Sequence, residues 1–261
     1  MHTCFSADSE ATVTSMLDAA VEKGLEGVCI TDHMDLDFPE TPDFPANAFQ
    51  FDLDEYFGQL NRLKEQYKGK LDLRIGVEIG LQKHLGEAYH RLTEAYPFDF
   101  VIGSVHLVGG QDPYYRKIFE GRTDEEVYRM AFRETLENVE AVKDFDTLGH
   151  LDYVVRYGIH QAAEYSYRKF SDEIDAVLKK LIAEGKGLEM NLAGIKYGLG
   201  FPNPHPDVLK RYRELGGEII TIGADAHEPA HVAYEFEKAT EILRECGFSY
   251  YAEFHGRKPV F

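Results

Sequence analysis

A short apolar run that stops abruptly at a histidine or an acid, followed by a helical stretch, recurs along this chain and limits what it can fold into. The clearest case is Ile219-Ile220-Thr221-Ile222, which breaks into Gly223-Ala224-Asp225-Ala226-His227-Glu228-Pro229. An apolar run closed by glycine and small residues reads as a buried strand that ends at a loop. Asp225 and His227 then lie two residues apart on extended backbone, where their side chains project the same way and can converge on one metal ion. A turn aspartate and a surface histidine would explain this stretch alone equally well. Its repetition along the chain shifts the balance.

Gly27-Val28-Cys29-Ile30 leads to Thr31-Asp32-His33, the run Leu71 to Val77 leads to Glu78, and Phe98 to Val105 leads to His106. Thr147-Leu148-Gly149 precedes His150, and Gly187-Leu188-Glu189-Met190-Asn191 is a further strand. The chain opens on Met1-His2 with no room for a strand ahead, so a seventh strand is inferred to end at His2. Between these runs the spacing predicts helices from a Ser9 cap to about Gly24, with Met16, Leu17, Ala20 and Val21 on one face, and from Leu53 to about Tyr67. Others are expected over Lys83 to Ala95, Asp124 to Val142, Ser171 to Ala183, Asp207 to Leu215 and Ala233 to Cys246. Strands alternating with helices argue for parallel units, so every strand-end residue lies on one face of one sheet. Seven units over about 250 residues favour an α/β barrel over an open sheet. Two irregular stretches stand out. Residues 34–52 carry Asp35, Asp37, Glu40 and Asp43 and read as a lid; the loop 107–121 holds Tyr114, Tyr115 and Arg116, which would line a pocket or cover the barrel end.

No repeat or low-complexity tract divides the 261 residues, and 44% hydrophobic content can fill one large core, so a single domain over 1–261 is expected. Cys4, Cys29 and Cys246 are too scattered for a disulfide framework or a thiolate zinc site. No apolar stretch approaches about 18 residues and no leader pattern opens the chain, which points to the cytoplasm and away from a membrane. A net charge of -18, from 46 acidic residues against 28 Lys and Arg, repels polyanions and makes nucleic acid an unfit partner. A small phosphorylated substrate stays possible, because bound cations can reverse the local field. Oligomeric state is not legible.

The strand ends collect His2, His33, Glu78, His106, His150, Asp225 and His227, with Asp8 just beyond the first. Burying so many ionisable groups without compensation would cost several kcal/mol each. Cations at their centre satisfy them together. Imidazole and carboxylate without thiolate suit Zn, Mn or Fe, and eight ligands exceed the needs of one tetrahedral ion, so two or three divalent metal ions are expected. Clustered metals with open positions perform hydrolysis, and phosphate esters are the natural substrates. Glu78, the only glutamate of the set, has two oxygens with which to bridge two ions.

These residues resemble the polymerase and histidinol phosphatase (PHP) superfamily of metal-dependent phosphoesterases, and within it the histidinol phosphatases. The resemblance rests on His2-Thr3, Ile30-Thr31-Asp32-His33, Gly76-Val77-Glu78-Ile79-Gly80, Ile102-Gly103-Ser104-Val105-His106, Gly149-His150-Leu151-Asp152, Leu188-Glu189-Met190-Asn191 and Ala224-Asp225-Ala226-His227, and spans nearly the whole chain. It implies a distorted (β/α)7 TIM-like barrel with three metals. His2, Glu78 and Asp225 would hold the first ion, Glu78, His106 and His150 the second, and Asp8, His33 and His227 the third. Two departures stand out. The family opens with a strand and a His-x-His pair, whereas here Met1 holds the middle position, so that the first His and most of that strand are absent; either the start is misplaced or truncated, or the first ion lacks a ligand. Asp8 also lies where many relatives carry histidine.

The resemblance further implies that Arg156 and Lys196 bind the phosphate, and that Glu78, Asp225 and Arg156 carry the reaction, attack of a metal-bound hydroxide on phosphorus. The expected substrate is L-histidinol phosphate, whose amine and imidazole would meet Asp35, Asp37 or Glu189. Three rivals remain: a related phosphoesterase acting on a nucleotide or phosphotyrosine, an amidohydrolase, and a non-catalytic metal-bound module. The amidohydrolase reading lacks its expected bridging lysine and eighth strand.

Overall fold

In the computed structural model, which describes residues 1–261, helix α1 (Val13–Glu22) turns Val13, Met16, Leu17 and Ala20 inward at helical spacing. Its cap is Thr12, whose hydroxyl accepts from the Ser15 backbone N–H at 3.1 Å. Ser9 is therefore not the cap; its hydroxyl donates to the His227 carbonyl at 2.7 Å, tying the first loop to the last strand's exit. Val21, expected on the inner face, is exposed.

Strand β1 (Gly27–Ile30) is followed directly by the two-residue β2 (His33–Met34), then by α2 (Leu53–Gln66), β3 (Asp72–Gly80), α3 (Gly86–Ala95), β4 (Phe100–Ser104), α4 (Asp124–Ala141) and β5 (Thr147–Leu148). The second half runs α5 (Ser171–Ala183), β6 (Gly187–Asn191), the single turn α6 (Ala193–Lys196), α7 (Pro206–Glu214), β7 (Ile220–Gly223), α8 (Phe236–Glu245) and a closing hairpin of β8 (Glu253–His255) and β9 (Lys258–Val260). The parallel sheet runs in the order β1-β3-β4-β5-β6-β7, with β2 alongside β3. One apolar core of 56 residues joins elements from α1 to Phe248. At the strands' amino ends the hairpin stacks Phe254 on Phe100 at 4.8 Å, and Arg257 binds Asp146.

The expected seventh strand is absent as a strand. Six main strands curl into a half barrel, and Met1 and His2 bridge the seam between β1 and β7. Thr31 N–H donates to the Met1 carbonyl at 2.9 Å, and His2 N–H donates to the Ala226 carbonyl at 2.8 Å. Two residues cannot continue a ladder down the sheet, and a cavity of about 460 Å³ lies beneath them, lined by Cys29, Phe100, Ile222 and Phe254 among others.

Candidate metal centre

Parallel pairing brings the strand ends to one level. His33 is in register with Glu78, and Glu78 with Ile102, so residues just past each strand meet above the sheet. The first residues of the chain and the exit of β7 close the group. Asp32, fully buried, accepts hydrogen bonds from the Thr3 N–H and hydroxyl and from the Ser6 hydroxyl, which pins the segment carrying His2 and Asp8. Beyond β7, Asp225 takes a left-handed backbone conformation, φ 49°, a strained state that turns its carboxylate inward beside His2.

All eight candidate ligands converge. Glu78 Oε1 lies 3.0 Å from His106 Nε2 and 3.2 Å from His150 Nε2, while its Oε2 lies 3.5 Å from His2 Nε2. His2 Nε2 is 3.3 Å from Asp225 Oδ1. On the outer side, Asp8 Oδ2 is 3.2 Å from His227 Nε2 and 3.8 Å from His33 Nε2, and the two imidazole nitrogens face each other at 3.4 Å. The His2 ring lies against those of His33 and His227, 4.2 Å from each, and those two are 5.5 Å apart, so the three rings form a triangle.

These separations bear on metal binding. Two atoms each about 2.1 Å from one tetrahedral ion stand about 3.4 Å apart, and the pairs above cluster around that value. The donors also form compact sets: one ligand atom each from His2, His33 and His227 lie within 4.8 Å of one another, as do those of His33, Glu78 and His106. Buried Nδ1 atoms of His2, His33 and His150 have no protein partner. An all-nitrogen and oxygen donor set of this kind fits Zn, Mn or Fe.

The charges are uneven in a way that a cation would relieve. Burial alone would raise the Glu78 carboxyl, but His33, His106 and His150 hold it well below the usual carboxylate range. Asp225 is likewise held low against its burial by His2, His227 and Arg156. Burial, with His227 and His33 close by, pushes His2 well down. His227 resists burial and rises to about 9 through Asp8 and Asp225.

A family model described as PHP domain matches residues 1–193. The chain belongs to the PHP domain family. The match takes in six of the eight converging residues; Asp225 and His227 lie beyond it. The probable histidinol-phosphatase of Clostridium acetobutylicum is 33% identical over all of this chain and 94% of its own length. The histidinol-phosphatase of Lactococcus lactis is 32% identical over 98% of this chain and 93% of its own. Among solved structures, the histidinol phosphate phosphatase of Lactococcus lactis, complexed with Zn, L-histidinol and phosphate, superposes with a TM-score of 0.87 at 30% identity, covering 100% of this chain and 97% of that one. A putative histidinol phosphatase from Listeria monocytogenes shares the fold, with a TM-score of 0.74 at 18% identity over 91% of this chain and 97% of the other.

Beside this PHP centre stand the two cations expected at a phosphate. Arg156, in the tight turn after His150, donates from Nε to Asn203 Oδ1 at 2.8 Å and from Nη1 to Asp225 Oδ2 at 3.3 Å. Its guanidinium lies over the rings of Tyr153, at 5.0 Å, and Tyr197, at 4.8 Å. Its Nη2 is buried and has no partner. Lys196 Nζ reaches the Asp225 carbonyl at 3.3 Å, and burial lowers its pKa.

The acids expected to meet an amine are engaged elsewhere. Asp35 is buried against His106 Nδ1 at 2.6 Å. Asp37 pairs at the surface with His84 at 2.9 Å. Glu189 sits under the site, accepting from the His150 N–H at 3.0 Å and from Asn191 at 3.1 Å. The lid itself is tied down, with Tyr115 donating to Asp43 at 2.8 Å and Phe38 packed on Phe49. Asp32, Tyr153, Tyr197 and Asn203 escaped the sequence reading. Strand alternation beside His33 could have flagged Asp32 as facing away from the metals, and the spacing from His150 could have flagged Tyr153; Asn203 has no local signal.

Proposed function

We propose that this chain hydrolyses L-histidinol phosphate to L-histidinol and phosphate in histidine biosynthesis, with two or three divalent ions, Zn, Mn or Fe, held by His2, Asp8, His33, Glu78, His106, His150, Asp225 and His227. The observation that carries the reading is the bare, buried Nη2 of Arg156, set beside Asp225 where the donor groups meet. A guanidinium offers a planar fork to phosphoryl oxygens, and Asn203 and Asp225 already fix its other nitrogens, so the unused N–H bonds are oriented before substrate arrives. Bound divalent ions supply the rest: they make water acidic enough to attack near neutral pH and offset charge on the phosphoryl group. Glu78 keeps donors on both sides of the centre at fixed separation. Lys196 adds a point charge, and the Tyr153 and Tyr197 rings packed against the Arg156 guanidinium keep it from swinging into solvent.

Support for the substrate comes from the histidinol-phosphatase names of the Clostridium and Lactococcus relatives and from the Lactococcus complex with L-histidinol and phosphate. A cytoplasmic setting is part of the proposal, in keeping with three free cysteines; no helix is long and apolar enough to cross a membrane.

The test is phosphate release from L-histidinol phosphate beside nucleotide, phosphotyrosine and aryl phosphates, on protein of measured metal content with and without added zinc or manganese. The expected result is a kcat/KM for histidinol phosphate at least about a hundredfold above the other esters. Turnover of a nucleotide or phosphotyrosine instead would keep the chemistry and replace the substrate. Bound metal with no turnover of any ester would overturn the reading in favour of a non-catalytic module.

A further inference from the structure

Among the imidazoles of the centre, only His106 has its Nδ1 within hydrogen-bond distance of a side-chain carboxylate; His227 Nδ1 lies 3.6 Å from Asp225 Oδ1. Those of His2, His33 and His150 have no partner, and that of His227 faces the backbone carbonyl of Asp225 at 3.1 Å. The carboxylate on His106 is Asp35, which lies 4% exposed just past β2, and its Oδ2 is 2.6 Å from His106 Nδ1. His106 Nε2 in turn lies 3.0 Å from Glu78 Oε1. Asp35, His106 and Glu78 thus form a line running from the protein interior to the centre of the donor cluster.

The fold makes room for this line. A Cβ at Gly80 would stand 2.6 Å from the Asp35 carboxyl carbon, so only glycine at the end of β3 lets the carboxylate reach the ring. Tyr89 braces the backbone on both sides: its hydroxyl accepts from the Leu36 N–H at 3.1 Å and lies within hydrogen-bond distance of the Met34 and Gly80 carbonyls. The Asp35 N–H donates to the Phe49 carbonyl at 2.9 Å. Asp35 Oδ2 is thus committed to His106, while its Oδ1 is buried without a partner.

We propose that Asp35 is a positioning residue: by holding the Nδ1 proton of His106, it fixes the ring's orientation and tautomer so that Nε2 is presented to a divalent ion beside Glu78. A carboxylate on the far nitrogen of a ligating histidine also makes that ligand more basic. The inference concerns metal affinity and stands whether or not histidinol phosphate is the substrate.

Asp35→Asn keeps the shape of the side chain and removes its charge, and Gly80→Ala leaves Asp35 in place but pushes on its carboxyl group. Zinc dissociation constants are measured on metal-free protein by competition with a chromophoric chelator, and KM for the best ester at saturating zinc. Circular dichroism of the metal-free variants checks folding. The expected result is at least one zinc constant weakened about 10- to 100-fold in Asp35→Asn, with KM at saturating zinc within about twofold of the wild type. In the wild type, proton NMR should show a low-field His106 Nδ1–H resonance that moves in the variant. Zinc constants all within about threefold of wild type would overturn the proposal, as would a rise in KM alone, which would return Asp35 to substrate binding. Should Gly80→Ala fold poorly, Asp35→Asn decides alone.

Discussion

Glu78 is the residue on which the centre turns, because it alone faces three imidazoles from two oxygens. Glu78→Gln keeps the volume and removes the charge that holds both sides together. It should bind fewer ions per chain and lose affinity by more than about a hundredfold, beyond the range seen when a group that only touches a ligand is removed. Turnover should fall with it, and metal analysis beside kcat checks both. Full metal content with unchanged kcat would remove Glu78 from the centre. His2 and Asp8 follow no apolar run and rested on the family resemblance, but six of the eight converging residues were visible before the structure because they sit at or just past the end of such a run, and a strand end is a local property. Their neighbours' duties were not. Asp35 and Glu189 look like any acids near a site, and only the fold shows that one is buried on His106 and the other under the His150 backbone. Asn203 reaches Arg156 across 47 positions of sequence, a distance over which no periodicity carries information.

Elements differ in how plainly they are written. Helix α5 runs over Ser171–Ala183, as its apolar spacing at Ile174, Val177, Leu178 and Leu181 predicts. The first helix is capped three residues later than expected, at Thr12, and Ser9 is instead taken by the His227 carbonyl, a contact between the first loop and the exit of β7. Contacts between elements allow sharper tests. Asp175 of α5 accepts from Arg211 of α7 through both oxygens, and Arg211, then Tyr167 and Lys179, hold its pKa down to about 2 against burial. An unfolded aspartate titrates near about 4, so this pair stabilises fully above that pH and its contribution fades as pH falls from about 4 to about 2. Asp175→Asn should therefore melt a few degrees below wild type at pH 6, with the difference closing below pH 4; a constant difference down to pH 2 would show that charge is not its source. In β3, a Cβ at Gly76 would stand 2.7 Å from Cys29 Sγ and 2.7 Å from the Phe100 carbonyl oxygen. The backbone oxygen cannot move aside without disturbing β4, so Gly76→Ala should cost about 1–3 kcal/mol, read by denaturant unfolding. An unchanged midpoint would mean that the two strands slide apart freely.

At the scale of the molecule, the order of strands and helices foretold a parallel sheet with one functional face, but not how the sheet ends. The seam between β1 and β7 depends on two residues at one terminus, and the β8–β9 hairpin is too short to announce itself as strands. That seam makes metal loading a structural matter. The proposed ligands reach in from β2 and β3, from just past β4, β5 and β7, and from the segment 2–8, so ions among them would tie the edges of the half barrel to its middle. An ion that binds only the folded state at about 100 times its dissociation constant stabilises it by about 2.7 kcal/mol. For a chain of this size that is about 5–10 °C in Tm. Loading should also release protons, because His227, with its pKa near 9, carries one at neutral pH and must lose it to ligate. The expected outcome is a Tm that falls by this amount when a strong chelator strips the protein at pH 7.5 and recovers when zinc is returned, with acid released on reloading. A Tm that stays put while metal analysis confirms the loss would mean that Met1 and His2 close the seam by their backbone hydrogen bonds alone.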